Sequence, residues 1–99
     1  MNPNTIKLEL DKTITKIVGY EYGMEIYENQ AKNHIGKARE VYIEFPEFID
    51  MVAPSFIQGF IVELLRIKGS KEELFDFLHF YSPNENVVKQ IYDDLLMTM

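Results

Sequence analysis

The chain is predicted to be α/β: a mixed β-sheet with an N-terminal hairpin, carrying about three helices packed mainly on one face. Three observations predict this. Apolar and polar residues alternate around residues 5–10 and 41–45, the period-two signature of a half-buried strand. Apolar residues recur every three or four positions in three other segments, as in amphipathic helices. Strand-like and helix-like segments take turns, so strands return after helices as right-handed βαβ units require.

In residues 5–10, Ile6, Leu8 and Leu10 fall on one side and Lys7 and Glu9 on the other. Asp11 and Lys12 form a turn, and the β-branched run at 13–18 suits a second strand, completing the expected hairpin. Met24, Tyr27, Ala31 and Ile35 have helical spacing, with Gly36 as a natural stop. Val41, Ile43 and Phe45 in EVYIEF predict a central strand that Pro46 ends. Phe56, Ile57, Phe60, Ile61, Leu64 and Leu65 give residues 55–68 an apolar face too wide to leave in water, and Gly69 stops that helix. A strand is expected at 74–81. A last helix is expected after it, opened by a Ser82–Glu85 capping box with Pro83 at its first position.

A chain of 99 residues fits a single domain, 1–99, and 46% apolar content with seven Phe and six Tyr is enough for a core. The absence of cysteine excludes a disulfide framework, a thiolate metal site and a cysteine nucleophile. No secretory leader pattern opens the chain and no apolar run reaches the ~20 residues that span a bilayer, so a cytoplasmic, non-membrane protein is expected. A net charge of −6 without a basic cluster argues against a nucleic-acid partner. His34 and His79 lie on different elements and outside any His-x-x-x-His spacing, so no metal and no cofactor is implied.

Ser55, in APSFIQGF, heads the most apolar helix, and Ser55 with Gln58 reads as a capping box whose hydroxyl accepts from an orphan backbone N–H. The same position at a helix N-terminus also suits a phosphoacceptor, because the helix dipole stabilises a phosphate there. Gly59 costs a helix about 1 kcal/mol relative to Ala, which predicts close approach of another backbone. Glu44, Glu47 and Asp50, with Asp93 and Asp94, lack a partner motif for acid–base chemistry and read as surface. Tyr20, Tyr22 and Tyr27 suit either an interface or a cover over the core.

The strand VYIEF, the loop PEFIDMVAPSF and the helix after it resemble the STAS fold of bacterial anti-sigma factor antagonists. YEYGMEIYENQ and HFYSPNENVVKQI are similar to short STAS-like proteins of unassigned function, over roughly residues 19–95. In the antagonists this segment reads aspartate, serine, serine, glycine, leucine, and a kinase that is also an anti-sigma factor phosphorylates the second serine. Ser55 falls on that serine and Ile57 on the leucine. Ala53 stands in place of the aspartate, Pro54 of the first serine and Phe56 of the glycine.

The expected function is a non-enzymatic STAS-like interaction module. Its protein partner would meet Phe48, Ile49, Asp50, Met51 and Phe56, with Ser55 as a switch, and the resemblance implies a sigma-regulator-type kinase as one such partner. The alternative is an acidic inhibitor that occupies a basic site on another protein, marked by steep salt dependence. An exposed apolar loop would also admit a homodimer.

Overall fold

The computed structural model describes residues 4–36 and 38–98, with side chains as far as Leu95. Its elements are β1 (Thr5–Lys7), β2 (Lys16–Ile17), α1 (Tyr20–Ile26), a π-helical turn (Tyr27–Ala31), α2 (Lys32–Ile35), β3 (Val41–Glu44), β4 (Met51–Val52), α3 (Pro54–Lys68), α4 (Lys71–Phe77), β5 (Leu78–Tyr81) and α5 (Glu85–Thr98). The α/β class and the alternation of strands with helices are as expected from the sequence.

The N-terminal hairpin is not formed. Asp11 does make a turn, its carboxylate accepting from the N–H and hydroxyl of Thr13 at 2.9 and 2.7 Å. The strands on either side nevertheless part company. β1 pairs with β3 and β2 with β4, and β3 pairs with β5, every pairing parallel. The result is a three-stranded sheet of order β1-β3-β5 and a two-stranded one of β2-β4, so the sheets are parallel rather than mixed among the described strands.

Two crossovers in one direction, β1 to β3 to β5, place their helices on one face when both are right-handed. The extensive contact between α1 and α3 agrees with that placement. Gly23 and Gly59 make the contact possible. A Cβ on Gly59 would run into the carbonyl of Tyr20, and one on Gly23 into the carbonyl of Phe56. The close approach expected at Gly59 is therefore present, and it is two-sided.

Val41, Ile43, Phe45, Leu78 and Phe80 point from the sheet into this helical layer and meet Phe56, Phe60, Ile61 and Leu64 in one core. Phe45 lies 6.0 Å from Phe80, and Phe60 6.0 Å from Phe80, as adjoining rings. Tyr22 packs edge-on against Phe56 and Tyr27 against Phe60, so two of the three clustered tyrosines cover the core, while Tyr20 is exposed.

Three local boundaries differ from expectation. The segment expected as a strand from residue 74 begins as helix α4, whose N-cap Ser70 accepts from the N–H of Glu73 at 3.2 Å; only 78–81 is strand. The last helix is opened by Asn84, which accepts from the N–H of Asn86 at 3.1 Å, while buried Ser82 accepts from the N–H of Asn84 at 3.0 Å. The Ser82–Glu85 box is thus replaced by two nested turns. The helix expected from Met24 starts earlier, at Tyr20, and widens into a π turn in which the N–H of Lys32 bonds the carbonyl of Tyr27. Gly36 and Gly69 do terminate their helices, Gly69 in the left-handed region at φ 89°.

Candidate functional site

Strand alternation that buries one set of residues presents the other on the opposite face. The register sets Thr5, Tyr42 and His79 side by side, with Lys7, Glu44 and Tyr81 in the next row. None of these six is buried, whereas the residues they alternate with in β3 and β5 are 0–4% exposed. Parallel sheets are ordinarily covered on both faces. Here one face of the three-stranded sheet is left with an aromatic and charged surface.

That surface has internal order. The rings of Tyr42 and His79 stack at 4.8 Å and 27°. Glu40, just before β3, accepts from the Tyr42 hydroxyl at 3.0 Å, and the same carboxylate oxygen lies 3.8 Å from His79 Nε2. His79 Nε2 is itself shielded from water and makes no hydrogen bond among the described residues. Tyr81, 51% exposed, stands at the margin of the stack. The surface thus sets flat rings beside a carboxylate, an ammonium and a phenol.

The residues expected to meet a partner divide differently. Ile49 and Phe56 are fully buried in the core and are removed from any contact surface. Phe48 packs against the core, and Met51 is half-buried in β4. Asp50 is exposed but paired with Lys16 at 2.9 Å. The loop is folded down because β4 is zipped to β2: the N–H of Asp50 donates to the carbonyl of Thr15 at 2.7 Å and that of Ala53 to Ile17 at 2.8 Å.

Ser55 is not the helix cap. Ala53 occupies that position, with Pro54 first in the helix. The Ser55 hydroxyl, half-buried, accepts instead from the N–H of Gly19 at 3.0 Å, which ties the start of α3 to the start of α1. The other two serines behave alike, Ser70 accepting from Glu73 and Ser82 from Asn84. Every serine hydroxyl is thus engaged by a backbone N–H rather than by a histidine.

A second polar group lies between α3 and the π turn. Lys32 Nζ is 3.5 Å from Glu63, and the Tyr27 hydroxyl lies near the same carboxylate. Burial, reinforced by the neighbouring carboxylates of Glu63 and Glu28, pushes the Tyr27 hydroxyl up to about 12.

Sequence reasoning named His79 and Glu44 but assembled no contact surface from the sheet-face residues, although the alternation in VYIEF and LHFY carried the signal: the residues between the apolar ones had to face somewhere. No family model, curated protein or solved structure matches the chain. No helix among the described residues is long and apolar enough to cross a membrane.

Proposed function

We propose that this chain is a non-enzymatic protein-interaction module that receives its partner on the uncovered face of the three-stranded sheet. The observation that carries this reading is the stacked, half-buried pair of Tyr42 and His79 beside exposed Tyr81 on a parallel sheet whose other face is fully covered. Tyrosine in such a position offers large contact area at low entropic cost, as in other protein interfaces. The STAS-like resemblance supports the same class of role, since β3, β4 and α3 follow one another in its strand, loop and helix order. The contact surface shifts from the 46–54 loop, where Phe48, Ile49 and Val52 are committed to the core, to the sheet. Ser55 becomes a tertiary tie rather than a switch.

The test is affinity capture from source-cell lysate with the wild-type chain and with a His79→Asp/Tyr81→Asp variant, both confirmed folded by circular dichroism. The expected result is a defined set of proteins held by the wild type and lost from the variant. Equal capture by both would remove the sheet face as the docking surface.

A further inference from the structure

We propose that two copies of this chain pair edge to edge through antiparallel β1 strands, with Thr5 of each opposite Lys7 of the other, joining their three-stranded sheets into one. Most backbone groups at the margins of the sheet are already bonded, and the sheet-face side chains take no part in the pairing.

Successive residues of a strand turn their backbone groups to opposite sides. The carbonyl of Asn4 accepts from the N–H of Tyr42 at 3.1 Å, and the N–H of Leu8 donates to the carbonyl of Glu44 at 2.9 Å. Asn4, Ile6 and Leu8 therefore face β3, while Thr5, Lys7 and Glu9 face outward. Glu9 is closed by the chain itself: Gln30 accepts its N–H at 2.7 Å and donates to its carbonyl at 2.8 Å.

At the far margin the outward donors are closed as well. The N–H of Phe45 donates to the carbonyl of Tyr81 at 2.9 Å, so Tyr81 faces β3 and Leu78 and Phe80 face outward. The N–H of Leu78 bonds the carbonyl of Leu74, and that of Phe80 donates to the Tyr92 hydroxyl at 3.0 Å. Of these outward-facing N–H groups, those of Thr5 and Lys7 have no partner among the described residues, and their carbonyls point the same way. They border a groove of about 510 Å³ whose lining also includes Asn29, Gln30 and His34.

An open sheet edge is a template for another strand. This one is a window of two outward residues, bounded at Glu9 by the Gln30 amide. A second copy presents the same window. In an antiparallel pair with its dyad at Ile6, Thr5 and Lys7 of one copy exchange both backbone bonds with Lys7 and Thr5 of the other, and the register leaves neither copy with a free donor in the window. This is the isologous geometry expected of a two-fold dimer.

Sedimentation velocity across a concentration series tests it, together with amide exchange at Thr5 and Lys7. The wild type is expected to shift from monomer to dimer, with exchange at those two amides slowing by about tenfold or more as the dimer fills. Lys7→Pro, which removes an N–H that the monomer's own sheet does not use, is expected to abolish dimerisation and remain folded. Lys7→Ala, which keeps the N–H, is expected to dimerise. A wild type that stays monomeric at every concentration overturns the proposal and leaves the edge to a strand of another protein. So does a Lys7→Pro variant that still dimerises, and so does a wild-type dimer in which the Thr5 and Lys7 amides stay unprotected.

Discussion

The N–H of Gly19 donates to the hydroxyl of Ser55 at 3.0 Å, joining residues 36 apart in the chain. It sits where α1 and α3 begin, close to the glycine crossing at Tyr20 and Gly59. A serine that sequence reasoning assigns to its own helix thus serves a neighbour's.

Ser55→Ala is expected to lower stability by about 1 kcal/mol, since a half-buried N–H loses its acceptor. Ser55→Glu should cost more, because the longer charged side chain must either leave this junction or be buried in it. Urea unfolding followed by circular dichroism reads both. A Ser55→Glu variant as stable as the wild type would restore the serine as a candidate site for an added charge.

Gly59→Ala ordinarily stabilises a helix interior by about 1 kcal/mol. Here the methyl group would collide with the backbone carbonyl of Tyr20, which cannot swing aside as a flexible side chain can. A loss of about 3 kcal/mol is expected instead. The sign of the change in thermal midpoint decides between a propensity effect and the close crossing.

Tyr27 makes stability depend on pH in the alkaline range. Its hydroxyl is raised from 10.0 to about 12 in the folded chain, so folding favours the neutral phenol. The resulting stability is fully present below pH 10 and is lost as pH climbs through about 12. Unfolding measured over that window should show the decline, and Tyr27→Phe should flatten it. Tyrosinate absorbance should likewise lose, in Tyr27→Phe, a component titrating near 12.

Tyr92→Phe removes the acceptor that closes the outer edge of β5 and leaves the N–H of Phe80 unpaired. The expected cost is about 1 kcal/mol, with faster hydrogen exchange at the Phe80 amide. Unchanged exchange there would show that the edge is shielded by packing of α5 alone.

Much of the architecture was readable residue by residue. Alternation in VYIEF fixed which side chains of β3 go to the core, and the apolar face of α3 and its Gly69 stop were apparent from spacing alone. Helix α4 was also written in the chain, as Ser70 followed three residues later by Glu73. The apolar run after it reads equally well as strand, which masks that signal.

By itself the sequence determined the α/β class, the inward faces and most of the helix ends, because periodicity, glycine and proline act locally. Only the tertiary structure decided which strand each strand joins. Alternation says where a side chain points and nothing about whose backbone lies alongside, so β1 and β2 looked like a hairpin yet separated into two parallel sheets. That choice followed from the packing of α1 on α3 at Gly23 and Gly59 and from the zipping of β4 to β2. The same packing turned Ser55 toward Gly19, drew Ile49 and Phe56 into the core, and left Tyr42, His79 and Tyr81 facing outward.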